Sequence, residues 1–134
     1  MKHRVLLPMM VSVLITIASP RASAQVVAIT NPSVTLTADD LRDVFLGEKQ
    51  LAGSTKLVPV DNASTQDLFL AKVIKLDATK YTNAWTKKSF RDGLTPPAIK
   101  ATDAEVIDFV KRTSGAVGYV KSAPSAGVNT IALP

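Results

Sequence analysis

The sequence predicts an α/β (α+β) domain, a small mixed sheet flanked by helices. Three observations predict it. Short β-branched runs alternate along the chain with segments of helical period. The helical segments are too short to form a bundle, so each must cover a sheet. The 134 residues, less the first 24, leave 110, which supply one core but not two lobes closing on a ligand.

The elements follow in order. Gln25–Thr30 carries Val26, Val27 and Ile29 and reads as a first strand, ended by Asn31-Pro32. Thr37 has the place of an N-cap, with Asp39 and Asp40 in the first turn, where carboxylates suit the positive helix end. Leu41, Val44 and Phe45 share one face of that helix, and Gly47 stops it. Residues 48–56 read as a polar loop. Leu57–Asp61 is a second strand, in which Pro59 implies an N–H that no neighbour needs. Ser64-Thr65 then opens a helix with the apolar stripe Phe69, Leu70, Val73 and Ile74. Asp77 caps a further helix bearing Tyr81 and Trp85 at i, i+4, and residues 91–98 form a Gly- and Pro-bearing loop. Thr102 and Glu105 have capping-box spacing ahead of Val106, Ile107, Phe109 and Val110. Ser114-Gly115 closes that helix, and Ala116–Val120 and Val128–Leu133 are the last two strands.

The N-terminus reads as an address. Met1–Arg4 is basic, Val5–Ala18 is apolar, and Ala22-Ser23-Ala24 places small residues where a signal peptidase reads. The fourteen residues of that run, interrupted only by Pro8, Ser12 and Thr16, span about 21 Å as a helix, short of the ~30 Å hydrocarbon core, so a cleaved secretory signal (residues 1–24) is expected in place of an anchor. The expected location is periplasmic. Cleavage changes the chemistry available. The 16 Lys and Arg lose Lys2, Arg4 and Arg21, leaving 13 against 11 acids, a net charge of +2. That balance, with no basic stripe interleaved with aromatics, argues against nucleic acid as a partner. His3 is the single histidine and there is no cysteine, so residues 25–134 (the expected exported domain) hold neither. Ser-His-Asp and Cys-His catalysis, thiolate zinc and disulfide frameworks are thereby excluded from that segment. No enzyme, cofactor or metal is expected.

Four stretches resemble the periplasmic phosphate-binding family, the substrate-binding proteins of phosphate ABC transporters. They are Ile29–Pro32, Leu36–Gly47, Leu57–Phe69 and Thr113–Val120. The specific part is the pair Leu-Arg-Asp-Val-Phe-Leu-Gly and Gly-Ala-Val-Gly-Tyr, about 70 residues apart in that order. The resemblance implies a single lobe of a type II periplasmic binding protein, a small oxyanion such as phosphate as ligand, and ABC-type uptake. An oxyanion would sit where a strand ends and small hydroxyl residues start a helix. Asp61, Asn62, Ser64 and Thr65 are therefore the binding candidates, with Asn31 facing the same spot and Gly115 and Tyr119 beside the cleft. The chain departs from the family pattern there: Asn62 stands near the expected Arg, and the Gly between Ser and Thr is absent.

Each candidate has a plainer role as well. Ser64 and Thr65 serve as N-caps, Asn31 as a turn residue, Gly115 and Gly118 as points of reversal and close packing, and Tyr119 as core. Tyr81 and Trp85 form a packed helix face, or, if exposed, a partner surface. The alternative function is a periplasmic interaction module, docking an exported protein or a second copy through a face that no longer meets a second lobe.

Overall fold

A computed structural model describes residues 25–134, and the expected signal at 1–24 lies outside them. The chain runs β1 (Val27–Thr30), α1 (Asp40–Phe45), β2 (Leu51–Ala52), β3 (Thr55–Lys56), β4 (Val58–Asn62) and α2 (Gln66–Phe69), which continues into a π turn (Leu70–Ile74). It goes on through α3 (Ala78–Asp92), β5 (Ala98–Lys100), α4 (Asp103–Arg112), β6 (Ala116–Val120) and β7 (Asn129–Ile131). The main sheet has the order β5-β4-β6-β1-β7. β4 lies parallel to β5 and β6, while β1 is antiparallel to β6 and β7, so the sheet is mixed as expected.

The strand pleat sorts the core into two layers. Side chains alternate between faces with period two. On β6, Val117 and Tyr119 join a cluster with Leu41, Phe45, Phe69, Ile74, Tyr81 and Trp85, beneath α1, the π turn and α3. Ala116 and Val120 turn the other way and pack with Ile29, Val60, Val106 and Val110 beneath α4. Gly118 shares that second face. A Cβ there would lie 2.7 Å from Val106 Cγ1 and 3.1 Å from Val60 Cγ1, so the missing side chain is what lets α4 approach the sheet. Gly115 has φ +80°, and a Cβ on it would meet the Lys56 carbonyl oxygen at 1.9 Å, so both glycines have the structural roles their positions suggested.

Pro59 fits its central strand by the same alternation. The Val58 N–H donates to the Gly115 carbonyl on the β6 side, so the Pro59 nitrogen points to the β5 side. There β5 pairing begins only opposite Val60.

The structure differs from expectation at four elements. Asp39, not Thr37, precedes α1 as its N-cap; Thr37 donates its N–H and hydroxyl to Asp40 Oδ2, both at 3.0 Å, because a preceding turn brings the carboxylate back. Residues 48–56 contain the β2–β3 hairpin, turned at Gly53 with φ +60°. The helix after Thr65 keeps α geometry for only four residues before widening, with Lys75 N donating to the Leu70 carbonyl at 2.7 Å and then adopting φ +62°. The Arg42 Nε–H reaches the Ile74 carbonyl at 3.2 Å and satisfies that end from α1. Finally, Ala98–Lys100, read partly as loop, adds the edge strand β5 beside β4.

Candidate functional site

The carboxyl end of β4 places two adjacent polar residues on opposite faces of the sheet. Asp61 points under α3 and is only 3% exposed. Its Oδ1 accepts the Tyr119 hydroxyl at 2.8 Å and its Oδ2 the Tyr81 hydroxyl at 2.9 Å. Burial pushes its carboxyl above the ordinary carboxylate range, while the Tyr119 and Tyr81 hydrogen bonds pull the other way. Both phenols are raised well above theirs, by burial first and then by the charge of Asp61. The Tyr119 ring is core, stacked on Phe69 with centroids 3.8 Å apart. Its hydroxyl is the part that serves the site.

Asn62 points toward α4 and is fully buried. Its amide nitrogen donates to Asp103 Oδ1 at 2.7 Å and to the Tyr119 carbonyl at 3.0 Å. Its carbonyl oxygen accepts the Ser64 N–H at 3.0 Å and the Ser64 hydroxyl at 2.7 Å. The Ser64 hydroxyl also lies 3.3 Å from Asp103 Oδ1, and the Lys121 N–H donates to Asp103 Oδ2 at 3.0 Å. The Asn62 amide and the Lys121 backbone N–H thus hold one carboxylate supplied by the first residue of α4, and the Ser64 hydroxyl shares its single proton between that carboxylate and Asn62 Oδ1. The turn's backbone is also engaged: Ala63 N–H donates to the Lys100 carbonyl and Thr65 N–H to the Asn62 carbonyl. Thr65 is the buried N-cap residue of α2, and its side chain makes no capping hydrogen bond.

The expectation that Asn31 faces the same spot is corrected. Asn31 N–H donates to the Ala116 carbonyl, and Ala116 is level with Val58 across the sheet. Asn62 lies four residues further along β4, about 13 Å at ~3.3 Å per residue. The antiparallel run of β1 against β6 is the reason: the carboxyl ends of β1 and β4 are at opposite ends of the sheet. Asn31 instead donates from its amide to the Val110 and Lys111 carbonyls, closing the C-terminus of α4, and accepts the Ser33 N–H. Gly115 lies at that far end too, away from the Asp61–Thr65 turn.

Asp61 also lines a groove of about 490 Å³ between α3 and the Pro96–Ile99 segment. Gln66, Tyr81, Thr82, Trp85 and Thr86 line it as well. Phe90 stands on its rim 92% exposed, and Ile99 56% exposed. The Ser89 hydroxyl, covered within the same wall, has no hydrogen-bond partner. Trp85 is anchored by its indole N–H on the Phe45 carbonyl at 3.0 Å. Among the described residues, no three His, Cys, Asp or Glu side chains gather at one point, and no helix is long and apolar enough to cross a membrane.

Sequence reasoning missed Tyr81 and Asp103 as partners of the turn. Asp103 was masked by its place in an ordinary capping box, although Thr102 does cap α4 by accepting the Glu105 N–H. Phe90 left a signal: an aromatic on the polar side of the α3 face that Tyr81 and Trp85 define.

The mixed five-stranded sheet with helices on both faces, with a polar turn leaving β4 into a helix, is consistent with a single lobe of a periplasmic-binding-protein-like fold. PstS from Borrelia burgdorferi has this fold, with a TM-score of 0.57 and 17% identity over 80% of this chain. An ABC-type phosphate transport receptor from Vibrio cholerae is a more distant match, with a TM-score of 0.47 and 17% identity over 79% of this chain. The chain spans 46% and 44% of the length of those two proteins. No protein-family model and no curated protein matches it.

Proposed function

We propose that this chain is an exported, solute-binding-type lobe serving ABC-type uptake, with phosphate or a related oxyanion as its ligand. Its exported form begins at Gln25 and works in the periplasm. The fold and the four resembling stretches support the reading. The observation that carries it is the donor set of Asn62, Ser64 and Lys121, because these groups already hold a group of oxyanion chemistry, the Asp103 carboxylate. A tetrahedral oxyanion takes the same donors once that carboxylate swings away. Asp103 is then a built-in competitor, and its charge disfavours a dianion relative to a protonated monoanion. Neutral donors with no Arg give weaker binding than a bidentate guanidinium would.

The test is a panel of phosphate, sulfate, arsenate, molybdate and small carboxylates, read by melting temperature on wild type and Asp103→Ala. At a hundredfold excess over Kd, a bound anion adds about 2.7 kcal/mol. The expected result is a small rise for wild type and a larger one for Asp103→Ala with the same anion. Flat responses from both proteins would sink the reading.

A further inference from the structure

Asp61 is a buried carboxylate with no cation beside it. None of the ion pairs among the described residues includes it. An ionised carboxylate removed from water needs a compensating charge or a full set of donors. Its two oxygens offer about four acceptor positions, and the two tyrosine hydroxyls with the Gln66 side chain fill three. The remaining position belongs to a group that also lines the groove under α3, whose walls include Tyr81, Trp85 and Phe90. Aromatic faces attract organic cations, and a carboxylate at the floor supplies the complementary charge. The volume, about 490 Å³, suits a small solute.

We infer that this groove binds a small organic ammonium, a primary amine on a flat apolar body. Its head meets Asp61 and its body lies along Trp85 toward Phe90. The site is separate from the donors around Asp103, which lie on the other face of the sheet, so it does not rest on the oxyanion reading.

Trp85 is the single tryptophan of the chain and lines the groove, so its emission reports occupancy. The full exported protein is titrated with benzylamine and with benzyl alcohol, its neutral counterpart. Benzylamine is expected to give a saturable change with a midpoint at least about tenfold lower than the alcohol. Asp61→Asn is expected to abolish that preference. Phe90→Ala, at a position exposed enough to leave folding intact, is expected to weaken both compounds. Asp103→Ala is expected to keep the amine preference whatever it does to anions. Equal midpoints for amine and alcohol, or no saturable change with benzylamine, would overturn the inference. So would an amine response indifferent to Phe90→Ala, or a silent titration with Phe90-dependent dimers in sedimentation, which would make the groove a contact between copies.

Discussion

At Asp61, hydrogen bonds from Tyr119, Tyr81 and Gln66 do not offset the loss of water, and the carboxyl stays above its ordinary value of 3.8. The consequence for stability follows from proton counting. Below that value both folded and unfolded chains hold the proton, and no penalty exists. As pH rises, the unfolded chain ionises first while the native one keeps its proton, so stability falls until the native carboxyl has also ionised. Asp61→Asn removes this dependence while keeping an acceptor for one tyrosine. Urea denaturation at pH 4 and pH 7 is expected to show the variant gaining on wild type at the higher pH. Asp40, lowered by its backbone hydrogen bond with Thr37, and Asp92, lowered by Arg91, act in the opposite sense. Both are shared by the two proteins, so the difference between variant and wild type isolates Asp61. A difference that stays constant or shrinks with pH would contradict the account.

Among the elements, α4 against β6 is the contact most exposed to a single change. Gly118 faces Val106, Val60 and Val110, and a methyl there overlaps the first of them. Gly118→Ala is expected to cost about 1–3 kcal/mol, the usual range for overpacking a filled core. Chemical denaturation checks it, and an unchanged midpoint would mean that α4 can slide outward freely. This packing was legible in the chain, since Gly118 interrupts an otherwise β-rich run of five. The π turn was not. Phe69, Leu70, Val73 and Ile74 have helical period whichever way the ladder bonds, and the widened end meets Arg42 of α1, a distant partner, at the Ile74 carbonyl. β5 was hidden for a similar reason: three residues after two prolines carry little period, and β4 supplies the pairing that makes them a strand.

Over the whole molecule, the sheet keeps two helical layers apart, and the chain's polar chemistry is divided the same way. The sequence showed the alternation of elements, the mixed class and the turn after β4. It did not show which end of the sheet each loop would reach, because strand direction is a property of pairing and not of composition. That is why Asn31 and Ser64 looked like neighbours. The proposed N-terminal signal belongs at this scale too. If export removes residues 1–24 as proposed, the intact mass of the secreted protein is that of a chain starting at Gln25, and a product retaining Met1 would refute it.

Asp61 and Asn62 are consecutive, yet one answers to two phenols and the other to a carboxylate. A one-residue slip of β4 in one direction would set the Asn62 amide beneath Tyr81 and Tyr119; a slip in the other would drive the Asp61 carboxylate against Asp103. Two acids in contact repel each other, so a slipped copy of the strand would be penalised at its tip as well as in its core. The polar end of β4 thus acts as a frame check, adding a penalty at the strand's tip to the one its core already imposes.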